Sequence, residues 1–128
     1  MPDVTITSTD GGRFSGYLAA PPSGRGAAVL VIQEIFGINQ VMRRITDDLA
    51  AQGYFALCPD LFWRQQPGIQ LTDQTDAEWA RAFELFKGFD EMNGIADLKA
   101  SLAYLRTIKG STGKVGTYTV VPGPGVLN

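Results

Sequence analysis

The residues best suited to chemistry are Gln33-Glu34-Ile35-Phe36-Gly37, which follow directly on the apolar run Ala27-Ala28-Val29-Leu30-Val31-Ile32. A carboxylate at the carboxyl end of a buried strand, between apolar neighbours, should have a raised pKa, because desolvation penalises its charged form. Glu34 could then serve as base, acid or hydrogen-bond acceptor; the alternative is an exposed loop glutamate, the ordinary state of that residue type. Cys58, the single cysteine, has no histidine anywhere in the 128 residues to deprotonate it. It precedes Pro59 at the end of Phe55-Ala56-Leu57-Cys58 and reads as core. The missing histidine also excludes a Ser-His-Asp or Cys-His-Asp triad contained within this chain.

Other lookalikes fail on spacing. Gly110-Ser111-Thr112-Gly113-Lys114-Val115 resembles a phosphate loop, but the pattern needs Gly where Ile108 stands and Ser or Thr where Val115 stands. Ser15 lies in a hairpin strand without a Gly-x-Ser-x-Gly frame. With no histidine and one cysteine a zinc site is excluded in practice, and no carboxylate spacing supports magnesium or calcium, so no metal or cofactor is expected. A net charge of -2 without a basic stripe argues against nucleic acid as a partner. The longest wholly apolar run, Ala27 to Ile32, is far short of the roughly 20 residues that span a bilayer, so no membrane association is expected. One cysteine and an N-terminus without signal-peptide character make a reducing cytoplasm the expected location.

The elements that position these residues follow from periodicity. Val4 and Ile6, then Phe14, Gly16 and Leu18, alternate around Asp10-Gly11-Gly12 and predict a hairpin. Ala27 to Ile32 is apolar on both faces, as a central parallel strand should be. Val41, Ile45 and Leu49 predict a helix capped by Asn39 and closed at Gly53. Phe55 to Cys58 is the next strand, ended by Pro59, with Asp60 to Leu71 a surface loop at its carboxyl end, where α/β sheets place ligands. Thr75-Asp76-Ala77-Glu78 has capping-box spacing before Trp79, Phe83 and Phe86 at i, i+4, i+7, a pattern that reads first as core. Ile95, Leu98, Leu102 and Leu105 predict a further helix, and Lys114 to Val121 another parallel strand. The order β-β-β-α-β-α-α-β implies a layered α/β sheet, antiparallel at its start and mostly parallel afterwards.

Three spaced segments carry a family resemblance: Gln33 to Gly37, Cys58-Pro59-Asp60-Leu61-Phe62-Trp63-Arg64-Gln65-Gln66-Pro67-Gly68, and Gly113-Lys114-Val115-Gly116. Together they resemble the N-terminal part of dienelactone hydrolases, also called carboxymethylenebutenolidases, which are α/β-hydrolases. The resemblance implies hydrolysis of a small-molecule ester or lactone through a Cys-His-Asp acyl-enzyme mechanism. It implies that Glu34 contacts the thiol of the nucleophile and that the Ile35 backbone N–H is one oxyanion-hole donor, a contribution of roughly 2.7–4 kcal/mol in acyl transfer. Dienelactone-specific members place an arginine and a tyrosine where this chain has Trp79 and Phe83. Phe36, Trp79 and Phe83 are thereby substrate-binding candidates, with preference for another ester or lactone.

In the family, Gly-Lys-Val-Gly leads into a Gly-x-Cys-x-Gly nucleophile elbow, with Asp and His further on. Here Thr117 is followed by Tyr118 to Asn128, which has no such elbow. The expected organisation is an N-terminal α/β-hydrolase portion over 1–117, truncated before the elbow, and an unrelated tail over 118–128 of the kind a frameshift leaves. Such a chain should be inactive alone. The alternatives are a short non-catalytic paralogue that binds or self-associates through its exposed sheet edge, and a hydrolase half completed in trans.

Overall fold

In the computed structural model of the chain, which describes residues 3–119, alternating apolar residues build the expected hairpin. Strand β1, Asp3–Thr7, pairs antiparallel with strand β2, Arg13–Ala19, placing Ile6 opposite Phe14 on one buried face. Gly11 makes the turn at φ 93°, where a β-carbon would be strained.

The apolar run forms strand β3, Gly26–Ile32, and its neighbour is β4, Phe55–Pro59. These two are parallel, while β4 meets β2 antiparallel. Strand β5, Ser111–Thr119, starts three residues earlier than the sequence predicts and lies parallel to β3, with Ile32 opposite Thr119; residues 120 and 121 of the expected strand fall outside the described residues. The sheet order is β1-β2-β4-β3-β5, so the apolar strand β3 lies inside the sheet between β4 and β5, and β5 forms an edge among the described residues.

Side-chain alternation sends the core to two sides of this sheet. Val31, Ala56 and Cys58 pack against Met42 of helix α1, Gln40–Ala51, and against Ile38 just before it. On the other side Ala28, Leu30, Phe55 and Leu57 join Leu105 of helix α3, Glu91–Thr107. Asn39 caps α1 as expected, its Oδ1 accepting from the Met42 N–H at 3.2 Å, and Gly53 follows the helix at φ 111°.

Three expectations are corrected. The predicted helix α3 forms and Leu98, Leu102 and Leu105 pack on the core, but its fully buried line is Gly94, Asp97, Ser101 and Leu105, and Ile95 is 47% exposed. The helix is turned this way because Asp97 pairs with Arg64 and because Phe89 fills the space where a β-carbon on Gly94 would sit. Segment 60–71 is not a surface loop throughout: Asp60, Leu61, Phe62 and Ile69 are buried. Its chain is folded back by the Asp60 carboxylate, which accepts from the N–H of Phe62 at 3.2 Å and of Gly68 at 2.9 Å.

The third correction concerns helix α2, Asp76–Lys87. Trp79, Phe83 and Phe86 are not core but 38%, 49% and 58% exposed. The helix packs on segment 60–71 rather than on the sheet, inserting Leu85 against Phe62 and Ile69, and that narrow support covers only Ala82 and Leu85.

Candidate active site

The carboxyl end of β3 delivers Gln33 and Glu34 into the space between segment 60–71 and α2. Gln33 ties two loops together: its side-chain carbonyl accepts from the Leu61 N–H at 2.8 Å, and its amide donates to the Glu34 carbonyl at 3.1 Å. The backbone then turns sharply, the Gly37 N–H donating to the Glu34 carbonyl at 3.2 Å. Gly37 is required at this point. Its φ is 80°, and a β-carbon there would overlap the Ile69 carbonyl oxygen.

Beyond the turn, the Phe36 carbonyl accepts from the Leu71 N–H at 2.8 Å, and the Asn39 side chain donates to the Leu71 carbonyl at 2.8 Å. Segment 60–71 is therefore strapped across the residues that follow β3. Gln33 holds its first part and Phe36 and Asn39 its last.

Glu34 is half-buried on this scaffold, and its carboxyl is pushed above the ordinary glutamate range, first by desolvation and then by the nearby negative charge of Asp73. Beside it opens a cavity of about 200 Å³ lined by Ile32, Ile35, Leu61, Phe62, Phe86 and Phe89 as well as Gln33 and Glu34. Among the described residues the Ile35 N–H has no backbone acceptor. A carboxylate that ionises late can take a hydrogen bond or a proton, and a free N–H at a strand's carboxyl end can donate to a developing negative charge. Among the described residues no group of three or more Cys, Asp or Glu is arranged to hold a metal ion.

The structure brings the other candidates close without burying them. Trp79 meets Phe36 edge-on with ring centroids 5.0 Å apart and stacks on Phe83 at 5.7 Å. The Trp79 indole N–H donates to the Asp73 carbonyl at 2.9 Å, which fixes the ring over the start of α2. Arg81 points away from this cluster, paired with Glu84 at 2.8 Å and hydrogen-bonded to Gln66. Cys58 is fully buried in the sheet, its thiol pushed up to about 12 by desolvation, and is no nucleophile.

Sequence reasoning missed the framework under the site. Asp97, 1% exposed, accepts from the Arg64 guanidinium at 2.9 Å and 3.2 Å and from the Trp63 indole N–H at 2.9 Å. Arg64 also reaches Asp10 at 2.6 Å, so one guanidinium joins the hairpin turn, segment 60–71 and α3. These partners lie 33 and 54 residues apart and leave no spacing signal. Gln33 could have been found: a polar residue that directly follows an apolar central strand must satisfy its amide nearby.

A mostly parallel sheet with helices on both sides and an antiparallel first hairpin is an α/β architecture that matches about half of the α/β-hydrolase fold. The comparisons with known proteins narrow this: the family model described as Dienelactone hydrolase family matches residues 14–119, and the chain belongs to that family. A sequence of Azospirillum brasilense that carries the carboxymethylenebutenolidase name is 56% identical over 92 residues, which is 71% of this chain and 40% of the relative. A carboxymethylenebutenolidase of Pseudomonas sp. (strain P51) is 43% identical over 101 residues, covering 79% of this chain and 42% of the relative. The crystal structure of a Klebsiella pneumoniae protein named for dienelactone hydrolase superposes with a TM-score of 0.70 at 24% identity, covering 91% of this chain and 49% of that one. The chain thus spans less than half the length of these relatives. None of its described helices is long and apolar enough to cross a membrane.

Proposed function

We propose that this chain is the N-terminal portion of an ester or lactone hydrolase, spanning residues 1–117, which carries part of the catalytic site and is inactive alone. The observation that carries this reading is the placement of Glu34 and Ile35 at the carboxyl end of β3, over the cavity and next to the carboxyl end of β5. In dienelactone hydrolases the strand matching β5 leads to the nucleophile. A thiolate delivered there would meet the Glu34 carboxylate, and the acyl oxygen would meet the Ile35 N–H.

On this reading Glu34 contacts and helps to activate the nucleophile, and Ile35 supplies one oxyanion-hole donor. Phe36, Trp79 and Phe83 form an aromatic wall for substrate instead of a polar clamp. The buried, unpaired thiol of Cys58 fits a reducing cytoplasm.

The test is hydrolysis of p-nitrophenyl acetate by the purified chain, alone and mixed with or fused to the C-terminal portion of the Azospirillum relative. Alone, the chain should match its Glu34→Ala control. With the missing portion supplied, ester hydrolysis should appear and should fall by about 10²-fold or more in Glu34→Ala, the usual scale for losing a positioned acid-base group. Glu34-dependent turnover by the chain alone would refute the inactive assignment, and silence of every completed form would refute the hydrolase reading.

A second reading is favoured by the open edge of β5. A nine-residue strand with one side unpaired among the described residues is a template for pairing with another chain. A short protein of this kind would bind a second copy of itself rather than turn over substrate.

A further inference from the structure

Arg64 sits three residues past the clasp between Leu61 and Gln33, and it is held from two sides. Its guanidinium donates to both oxygens of the Asp97 carboxylate, at 2.9 Å and 3.2 Å, and with its remaining nitrogen to Asp10 at 2.6 Å. Trp63 beside it donates to Asp97 at 2.9 Å and stacks on Phe14 with ring centroids 5.4 Å apart. A β-carbon on Gly12 would strike the Trp63 ring, so the hairpin turn closes on that ring as well. Backbone passes this hold onward. The N–H groups of Gln65 and Gln66 both donate to the Phe62 carbonyl at 3.0 Å, closing residues 62–66 into one turn. Leu61 leads into that turn, its N–H donates to the Gln33 side chain, and the Gln33 amide donates to the Glu34 carbonyl. All of these partners belong to this chain, and the hairpin among them forms the sheet edge opposite β5.

We propose that Arg64 is a positioning residue for Glu34: its fork between Asp97 and Asp10 fixes the 62–66 turn, the turn fixes the Leu61 N–H, and Gln33 carries that position to the Glu34 backbone. Arg64 does not line the cavity beside Glu34, so its route to the site runs through these neighbours. The fork shape is what counts. A lysine at this position keeps a positive charge for the 1% exposed Asp97, but as a single point donor it cannot span two carboxylates. The task for which Glu34 is positioned rests on the hydrolase reading; the coupling from Arg64 to Glu34 does not.

The test uses the 128-residue chain, Arg64→Lys, Gln33→Ala and the double variant, compared by NMR where circular dichroism shows each one folded. In Arg64→Lys the Leu61 amide should exchange about 10-fold faster, the scale of one net hydrogen bond, beyond any change at the buried Thr46 of α1, which reports global unfolding. The carboxyl carbon of Glu34 should show it ionising at lower pH than in the unaltered chain, because loosening residues 61–66 admits water to a group raised first by desolvation. A weakened positive charge alone would move Glu34 the other way, so the sign separates position from charge. With Gln33→Ala already in place, Arg64→Lys should add little at Glu34, since the relay is cut. Unchanged Leu61 exchange, a Glu34 that titrates as in the unaltered chain, or full additivity with Gln33→Ala would each overturn the proposal. If Arg64→Lys does not fold, Asp10→Ala removes only the outer arm of the fork, at a side chain 53% exposed, and should still quicken Leu61 relative to Thr46; no change there overturns the proposal. Failure of the completed protein to hydrolyse esters, with Leu61 and Glu34 still following Arg64→Lys, overturns the hydrolase reading alone. Hydrolysis by the completed protein without that coupling overturns this proposal alone.

Discussion

Glu34 carries a charge that its surroundings disfavour, and stability should register this. Its native pKa lies above the unfolded value near 4.5, so the native state holds the proton longer. The linkage sign is then negative: stability falls as pH rises from about 4.5 through the raised native value. Glu34→Gln should flatten that part of the curve in urea denaturation from pH 4 to 8. Asp60, also raised by burial despite the N–H groups of Gly68 and Phe62, adds a slope of the same sign that remains in the variant. Asp10 has the opposite sign: held low by Ser8 and Arg64, it stabilises above the ordinary aspartate range and loses that contribution on acidification. At Asp97 the expected cost comes from stranding a charge. Arg64→Met leaves the 1% exposed carboxylate with only the Trp63 N–H, and should destabilise by about 2–3 kcal/mol, somewhat less than a wholly buried pair because Arg64 itself is 24% exposed. Adding Asp97→Asn should recover part of the loss. Cys58 should resist iodoacetamide at pH 8 until the chain is unfolded, as a buried thiol pushed up to about 12 must.

The strap across the site depends on its glycine and the start of α2 on its cap. Gly37→Ala asks for a left-handed residue, at ~1–3 kcal/mol, and also drives a β-carbon into the Ile69 carbonyl. Segment 69–71 should detach from Phe36, seen as faster amide exchange at Leu71. Thr75→Ala removes the oxygen that accepts from the Glu78 N–H at 3.1 Å and should cost about 1 kcal/mol. The same elements show what could be read in advance. The first hairpin, β3, α1 and β4 were legible because an apolar run, an alternation or a cap dictates each one locally. The α2 periodicity correctly placed Trp79, Phe83 and Phe86 on one face, but periodicity does not say what that face meets. Here it meets Phe36 and solvent, since Leu85 alone carries the helix onto Phe62 and Ile69. The facing of α3 was decided by an ion pair to Arg64, a partner 33 residues earlier that no local pattern encodes. Within the site, Glu34 stood out by following a central strand, whereas the Gln33 clasp on Leu61 appeared only with the fold.

For the molecule as a whole, the chain of packed strands stops at β5, whose outer side has no neighbour among the described residues. Sedimentation velocity should therefore show species heavier than one 13.8 kDa chain as concentration rises. Tyr118→Lys, placing a charge on that edge at a residue 40% exposed, should shift the population toward monomer. The strand order carries a further consequence for synthesis. β2 pairs with β1 as it emerges, β3 waits for β4, which joins it to β2, and β5 then docks on β3 from the outside, so nothing later in the chain is needed to complete these four pairings. The outer side of β5, without a neighbour among the described residues, is the part of this sheet left uncovered as those pairings close. During synthesis it would be the surface that a chaperone must shield, because unpaired strand edges make newly folded species prone to aggregate.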